Sequence, residues 1–288
     1  MPPLILAVET SSRTGSVAIA LGENLLAETK FAGPSRHSAE LFPSICHLLD
    51  RFSRKPDQIE HIYISVGPGS FTGLRIAVTM AKTMSLANAA KIVAVDSLDV
   101  AAANIPLLIE HRLSADLSGV LSSVALAKEE AQAKSETSAK AEVPSIENLA
   151  VVVDAKRNQF FIAAYQKTQQ SQIVNRQSSL VRRPCGGIVN QPTGYEKIVQ
   201  DSLMTSDEFL EKFAALDQPI WLLGDGLLYY KDKFKSAGIR FFDEQYWSPR
   251  ASKVHLLGWQ LALAGRFSDP LTLTPNYLLR PDIKIKPR

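Results

Sequence analysis

The sequence predicts an α/β protein in which mixed sheets, flanked by helices, form two similar lobes. Three observations predict this fold class. Apolar runs separated by short polar turns begin at residue 4, a buried strand at 62–66 leads through a glycine-rich turn into a helix, and the first hairpin pattern recurs at 149–165. The spacing of this recurrence favours a duplicated lobe over a short solenoid repeat.

The chain begins with an antiparallel meander. Apolar runs at 4–9, 16–21 and 25–31 predict its three strands, and Glu9 ends the first of them beside Thr10. Taken on the residues alone, Glu9 is expected to be an exposed strand end.

A glycine-rich turn at 67–75 joins the next strand to a helix predicted over 74–90. Glycine permits tight turns and close backbone approach, and a free helix N-terminus can bind an anion. The turn therefore either holds an anion or closes a packing interface. Because it matches neither a P-loop nor a dinucleotide fingerprint, the sequence leaves both open. Its candidate residues are Gly67, Gly69, Ser70, Thr72, Gly73 and Arg75, with Ser70 or Thr72 as the helix cap.

Two helices of the first lobe carry wide apolar or small faces. The helix predicted over 37–52 has a large apolar stripe, and Pro43 should kink it or delay its start. The helix over 74–90 has small residues four apart beside an apolar ridge. Core packing could explain either face, but together they could also bind a partner or a second copy. The predicted partner surface comprises Leu41, Ile45, Leu48, Gly73, Ile76, Ala77, Met80, Ala81 and Met84.

The chain changes character after the first lobe, which is expected over 1–104. Residues 105–146 are predicted to be a variable, partly disordered insertion, and deleting the low-complexity stretch 127–142 should cost little stability. A second lobe is expected over 147–247. Residues 248–288 should form a C-terminal helix and a basic tail, which charge patterning predicts to be solvated rather than bound to RNA phosphates.

The second lobe repeats features of the first. Asp154 ends a buried run much as Glu9 does, and Gly224 and Gly226 lie in a tight turn between a strand and a helix. The echo predicts two lobes that face a cleft. Ser248 is the predicted N-cap of the last helix.

Composition argues against several classes of protein. The net charge is +3, with 32 basic and 29 acidic residues, which does not by itself indicate nucleic-acid binding. Cys46 and Cys185 are the only cysteines, too few for a disulfide framework or a thiolate metal site. No apolar run approaches the length of a membrane span, and no signal peptide is evident. We expect a reduced, cytoplasmic protein without membrane contact.

Several of these segments together resemble the TsaB family, also called YeaZ-type proteins. The segments are 6–11, 16–18, 37–38, 41–43, 67–75 and 275–280, and 153–157 is similar to the family's second-lobe hairpin. The string at 67–75 is the most specific of them. The resemblance spans both lobes and the C-terminal segment but not the insertion, and it departs at Glu9, where the family usually has Asp.

The resemblance implies an actin-like, ribonuclease H-like fold and a role in forming threonylcarbamoyladenosine (t6A) in bacterial tRNA. It implies no catalytic residue, metal or cofactor on this chain, which would pair through its first two helices with a TsaD-type catalytic subunit. A TsaE-type ATPase, a homodimer of the isolated chain, and tRNA held indirectly through the complex are the other implied partners. ATP and metal would belong to the partner subunits. A degenerate nucleotide cleft is implied at Glu9, Thr10, Ser11, Asp154, Gly224 and Gly226.

A stand-alone ATP-dependent, kinase-like enzyme of the same fold is the alternative. It would need Glu9 and Asp154 to face a nucleotide between the lobes. The five histidines include no pair at metal-binding helical spacing, whereas the TsaD-type relative holds its metal with two histidines four apart. Peptidase activity is not expected, because the sequence contains neither His-Glu-x-x-His nor Gly-x-Ser-x-Gly.

Overall fold

The structure, a computed structural model, contains two five-stranded mixed sheets flanked by helices, which agrees with the predicted class of fold. The residues that it describes are 1–31, 37–105, 146–168, 194–213 and 218–279. The low-complexity stretch 127–142 and the basic tail beyond residue 279 lie outside the described residues. The domain boundaries given above stay a prediction.

The first sheet has the strand order β3-β2-β1-β4-β5. Its strands are β1 (Leu4–Glu9), β2 (Ser16–Leu21), β3 (Asn24–Lys30), β4 (His61–Ser65) and β5 (Lys91–Val95). The first three strands form the expected antiparallel meander, while β4 runs parallel to β1 and β5 runs parallel to β4. β1 is buried along its whole length because helices cover both faces of the sheet.

Alternate residues of β1 belong to two separate cores, as the two-residue period of a strand requires. Leu6 and Val8 pack with α1 (His37–Arg51) and α2 (Phe71–Asn88), whereas Ile5 and Ala7 pack with the last helix, α6 (Ala251–Leu263). The last helix thus returns to the first sheet.

The second sheet repeats this plan in the order β10-β9-β6-β7-β8. Its strands are β6 (Asn148–Lys156), β7 (Gln159–Lys167), β8 (Tyr195–Met204), β9 (Ile220–Leu223) and β10 (Ile239–Phe241). Strands β6 to β8 are antiparallel, and β9 and β10 are parallel to β6, so each sheet consists of a meander followed by two parallel strands. Sequence analysis missed β8 and β10.

The described residues also form three short α-helices, namely α3 (Ser97–Ala102), α4 (Ser206–Phe213) and α5 (Leu227–Tyr230). Helix α3 connects the two halves, because Leu98 packs in the core of the second sheet while Val100 packs in that of the first. Asn104 strengthens this junction, since its Nδ2 donates to the carbonyls of Tyr246 at 2.9 Å and Ser248 at 3.0 Å.

Two predicted helix starts need correction. Helix α2 begins at Phe71 rather than residue 74, and Ser70 is its cap, accepting from the Gly73 N–H at 3.4 Å. Helix α6 begins at Ala251, so Ser248 lies upstream of its N-cap. The predicted start of helix α1 at His37 is confirmed, so Pro43 lies inside the helix and does not delay its start.

Candidate functional site

The glycine-rich turn packs tightly against the first hairpin. A Cβ on Gly73 would lie 1.9 Å from the Thr10 carbonyl oxygen, and one on Gly69 would lie 2.3 Å from that of Ser11. The Thr10 hydroxyl donates to the Gly73 carbonyl at 2.8 Å, and the Ser70 N–H donates to the Ser11 carbonyl at 2.6 Å. This geometry favours the packing interpretation of the turn over an open anion cradle.

The C-terminal segment closes the other side of the same turn. The Asn276 N–H donates to the Val66 carbonyl at 2.7 Å, and a Cβ on Gly67 would lie 2.5 Å from the Asn276 carbonyl oxygen. The rings of Phe71 and Tyr277 are 5.0 Å apart. Two segments that carry the resemblance to the TsaB family, 67–75 and 275–280, therefore meet in the fold. Of the second segment, the described residues are 275–279.

Replacing Gly73 with alanine is expected to lower the free energy of unfolding by about 1–3 kcal/mol, because the added Cβ requires backbone movement in a packed site. Alanine is otherwise the better helix former, so a lower free energy of unfolding would indicate that the close contact with Thr10 opposes the added Cβ. Urea unfolding measures the change. The control is Thr79→Ala, at an exposed position of α2, which should change stability by less than about 0.5 kcal/mol. A Gly73→Ala variant as stable as its parent would contradict the packing interpretation.

The predicted partner residues divide into buried and accessible groups. The buried group contains Leu41, Ile45, Leu48, Gly73, Ala77, Met80 and Ala81. The stripe of small residues on α2 faces the chain's own sheet, where the helix packs on β4. Burial corrects the prediction for these seven residues, because a partner could contact their side chains fully only if the core opened. That the two helices carry a partner surface remains a prediction.

An apolar groove of about 500 Å³ lies between the exposed sides of α1 and α2. We call it the α1–α2 groove, and it is lined by Phe42, Phe71, Thr72, Arg75, Ile76, Thr79, Met80, Thr83 and Met84. Phe42 is 53% exposed and Phe71 is 37% exposed, and the Arg75 guanidinium stands 5.1 Å from the Phe71 ring centroid.

Sequence analysis anticipated part of this groove. Ile76, Met80 and Met84 were expected on a partner surface, and Thr72 and Arg75 were singled out in the glycine turn. It missed the four other groove residues, which are Phe42, Phe71, Thr79 and Thr83. The signal that could have indicated Phe42 is an apolar side chain directly beside the apolar stripe of α1.

The acid at the end of β1 is buried, contrary to expectation. Glu9 is 0% exposed, and its Oε1 accepts from both the N–H and the hydroxyl of Ser11 at 2.5 Å. Burial raises the pKa of the Glu9 carboxyl above its usual value, and the Ser11 hydrogen bonds oppose that rise. The carboxylate is thus held by its own turn.

The second hairpin meets the first at this place. The Asp154 carboxylate accepts from the Lys156 N–H and Nζ, both at 2.8 Å, and lies 3.6 Å from the Arg13 guanidinium. Asp225 is 5% exposed, and its Oδ1 is buried without a hydrogen-bond partner among the described residues. Burial raises the pKa of Asp225 to about 6, and the neighbouring Asp154 adds to this rise, whereas the nearby backbone N–H groups of Arg13 and Asp154 act to lower the pKa.

The glycines on either side of Asp225 also serve packing. A Cβ on Gly224 would lie 2.1 Å from the Val152 carbonyl oxygen, and one on Gly226 would lie 3.0 Å from it. The fold therefore brings the predicted cleft residues of both lobes together, and contacts within the chain join them. That they form a degenerate nucleotide cleft stays a prediction.

A polar cluster that sequence analysis missed joins α3 to the second sheet. The Lys197 ammonium on β8 lies 2.6 Å from Asp201, 2.9 Å from Asp99 and 3.5 Å from Asp96. The Tyr165 hydroxyl donates to Asp99 at 2.8 Å. We call these five residues the Lys197 cluster.

The Lys197 cluster holds more negative than positive groups. Burial raises the pKa of both Asp96 and Asp99, and in Asp96 a hydrogen bond to Asp201 raises it further. Burial alone would lower the pKa of Lys197, but the three carboxylates outweigh that effect and raise it. Lys197 is therefore the positive charge that offsets the repulsion among the three acids.

Among the described residues, no group of three or more His, Cys, Asp or Glu side chains is arranged to hold a metal ion. Within the same residues, no helix has the length and apolar character needed to cross a membrane.

Sequence comparisons match part of the chain. A family model described as TsaD, tRNA N6-adenosine threonylcarbamoyltransferase, matches residues 33–143. The TsaB protein of Bacillus subtilis is 37% identical over 100 residues, which are 35% of this chain and 44% of that protein. The TsaB protein of Buchnera aphidicola is 28% identical over 102 residues, which are 35% of this chain and 46% of that protein. The chain thus spans less than half the length of the curated relatives it matches.

Structural comparison matches nearly all of the chain. The solved structure of YeaZ from Pseudomonas aeruginosa aligns with a TM-score of 0.63 and 18% identity over 96% of this chain and 100% of that one. At this identity the likeness speaks for the fold alone. The actin-like, ribonuclease H-like fold class is confirmed, and so is the resemblance to TsaB- and YeaZ-type proteins.

Proposed function

We propose that this TsaB/YeaZ-type chain takes part in t6A formation as a non-catalytic subunit that pairs with a TsaD-type catalytic subunit. The TsaD-type catalytic subunit would transfer the threonylcarbamoyl group to N6 of the adenosine next to the tRNA anticodon. This chain would bind that subunit through the α1–α2 groove. The names of the relatives support the pathway, and the groove supports the proposed place of contact.

The exposed apolar groove is the observation that carries the proposal. Contiguous apolar surface on a single chain commonly marks an interaction site. Phe42 and Phe71 provide large aromatic anchors of the kind that dominate interfaces. Met84 is only partly buried, and its flexible, polarisable side chain can adapt to a partner's side chains.

The shape of the groove favours a helical partner. A channel between two adjacent helices accepts the side-chain ridge of a third helix, which is how amphipathic helices bind grooves. A second copy of this chain would present the same two helices. We therefore propose that a homodimer of the isolated chain and a heterodimer with the TsaD-type subunit use one groove and exclude each other.

A non-catalytic role is supported by how the fold uses the segment after β5. Asp96 caps α3 by accepting from the Leu98 and Asp99 N–H groups, at 2.9 and 3.1 Å. Asp99 belongs to the Lys197 cluster. In the TsaD-type relative, a histidine pair follows the equivalent strand, but here the side chains at this place build the junction between the two sheets.

The test is the substitution Thr79→Arg, which puts a bulky charge on an exposed groove position. Ala77→Arg is unsuitable, because Ala77 is 0% exposed and the change would disrupt the core. At a central position the variant should weaken association with the TsaD-type subunit by at least about 30-fold, with unchanged urea unfolding. Titration and sizing of the complex measure this, alongside reconstituted tRNA modification.

The control for this test is Gln260→Arg, which makes a similar change at an exposed position of α6. It should leave association intact. If Thr79→Arg assembles and supports modification as well as this control, the partner surface lies elsewhere. Calorimetric titration of the isolated chain with ATP tests the kinase-like alternative, which predicts tight binding.

A further inference from the structure

We propose that this chain contacts RNA directly through a basic surface beside the junction of the two hairpins. We call it the Lys156 surface, formed by Arg13, Lys156, Arg157, Asn158, Tyr229 and Lys233. Its cations would bind backbone phosphates, and Tyr229 would stack against an unpaired base. The choice of RNA as the polyanion rests on the proposed function, but the surface is separate from the α1–α2 groove.

The conformation of the β6–β7 turn is the first supporting observation. Lys156, Arg157 and Asn158 have φ angles of 70°, 55° and 61°. These are left-handed conformations, which asparagine tolerates but which are costly for lysine and arginine. The Asp154 side chain fixes the turn by accepting from the Lys156 N–H. Two basic residues thus occupy positions where glycine or asparagine would strain the backbone less, which is typical of functional sites.

The charge around this turn is the second observation. Lys233 donates through Nζ to the Asn158 side-chain oxygen, which places another cation against the turn. The Lys156 side chain is 71% exposed, whereas that of Asp154 is 8% exposed and faces inward between Lys156 and Arg13. The outward charge of the surface is therefore positive, which suits a chain of phosphates.

An exposed aromatic ring is the third observation, and it favours RNA over an acidic protein. Tyr229 is 65% exposed, and the Arg13 guanidinium lies 4.2 Å from its ring centroid. Unpaired bases in RNA loops stack on aromatic rings and on arginine planes. An acidic peptide would use the cations but gain little from such a platform.

The experiment measures binding of an unmodified tRNA transcript to the isolated chain over a series of salt concentrations. Neutralising Lys156 or Lys233, as Lys156→Gln or Lys233→Gln, should lower the slope of log affinity against log salt by about 1 each. Tyr229→Ala should weaken binding about 5- to 150-fold and leave that slope unchanged. Lys30→Gln, at an exposed position of β3, is the charge-matched control and should change neither quantity.

Three results would overturn the proposal. The first is unchanged affinity and salt slope in the double variant Lys156→Gln/Lys233→Gln, with normal urea unfolding. The second is equal loss on Tyr229→Ala for a fully base-paired RNA stem, which offers no unpaired base. The third is binding of polyglutamate as tight as that of tRNA. The RNA-binding experiment contains no partner subunit, so its results do not depend on the outcome of the Thr79→Arg test. Failure of the RNA proposal can therefore be told apart from failure of the groove proposal.

Discussion

Replacing Lys197 with methionine is expected to lower the free energy of unfolding at pH 7.5 by about 3–5 kcal/mol. The side chains are of similar size, but the variant leaves three carboxylates facing each other in a site where Lys197 is 10% exposed and Asp99 is 3% exposed. Removing one partner from a buried ionic cluster is costly because the remaining charges keep their desolvation penalty. Urea unfolding monitored by circular dichroism measures the loss.

The loss should shrink at low pH, and this distinguishes the charge effect from lost packing. The raised pKa values of Asp96 and Asp99 mean that the folded state holds protons more tightly than the unfolded state does. As pH falls, these acids become neutral and no longer need a cation. The difference between parent and variant should therefore be smaller at pH 4.5 than at pH 7.5.

A matched control is Lys167→Met on the neighbouring strand. Lys167 lies 4.0 Å from Glu147, and the two side chains are 29% and 43% exposed, so the pair is largely solvated. Its removal should cost less than about 1 kcal/mol. A Lys197→Met variant that loses no more than this control, or whose loss is the same at both pH values, would contradict our account of the cluster.

Local patterns sufficed to predict the class of fold. Strand β1 is an uninterrupted apolar run, and the turn after β4 combines three glycines with a serine cap, so each could be found without knowing its neighbours. Strand β8 could not be found this way. Only its first residue, Tyr195, is buried, and the remainder is half-exposed, so its sequence lacks the apolar run that indicates a buried strand.

The faces of α2 show where local patterns become ambiguous. Small residues four apart allow close approach of any neighbour, whether a partner helix or the chain's own sheet. Only the fold shows that Ala77 and Ala81 lie against β4 and that the accessible apolar residues are on the other side of the helix. Ile76 and Met84 therefore line the α1–α2 groove, whereas the small residues Ala77 and Ala81 belong to the core. That the two helices carry a partner surface stays a prediction.

The polar clusters depend on contacts that no local pattern contains. Asp99 and Lys197 are far apart in the sequence and meet because α3 packs on the second sheet. Glu9 has the same local sequence whether it is exposed or buried, and in the fold the glycine turn packs against the neighbouring Thr10 and Ser11. Such sites require the tertiary structure.

Asp225 gives the stability of the fold a specific dependence on pH. Its pKa is raised from the ordinary 3.8 to about 6, chiefly because the carboxyl is buried beside Asp154. Between these values the folded state binds a proton that the unfolded state has released. The stabilisation from this proton is therefore complete below pH 4 and is lost as the pH rises through 6.

Replacing Asp225 with asparagine is expected to remove this loss of stability with rising pH. The parent should lose about 2 kcal/mol of unfolding free energy through this group between pH 4 and pH 7, since one unit of pKa shift corresponds to about 1.4 kcal/mol. Asp225→Asn keeps an oxygen beside the Arg13 and Asp154 N–H groups but has no carboxyl group to titrate. Urea unfolding at the two pH values should therefore give a drop smaller by that amount. Asp243→Asn, at an exposed position, should retain the drop of the parent. If Asp225→Asn retains it too, the buried carboxyl at the hairpin junction does not govern the pH dependence.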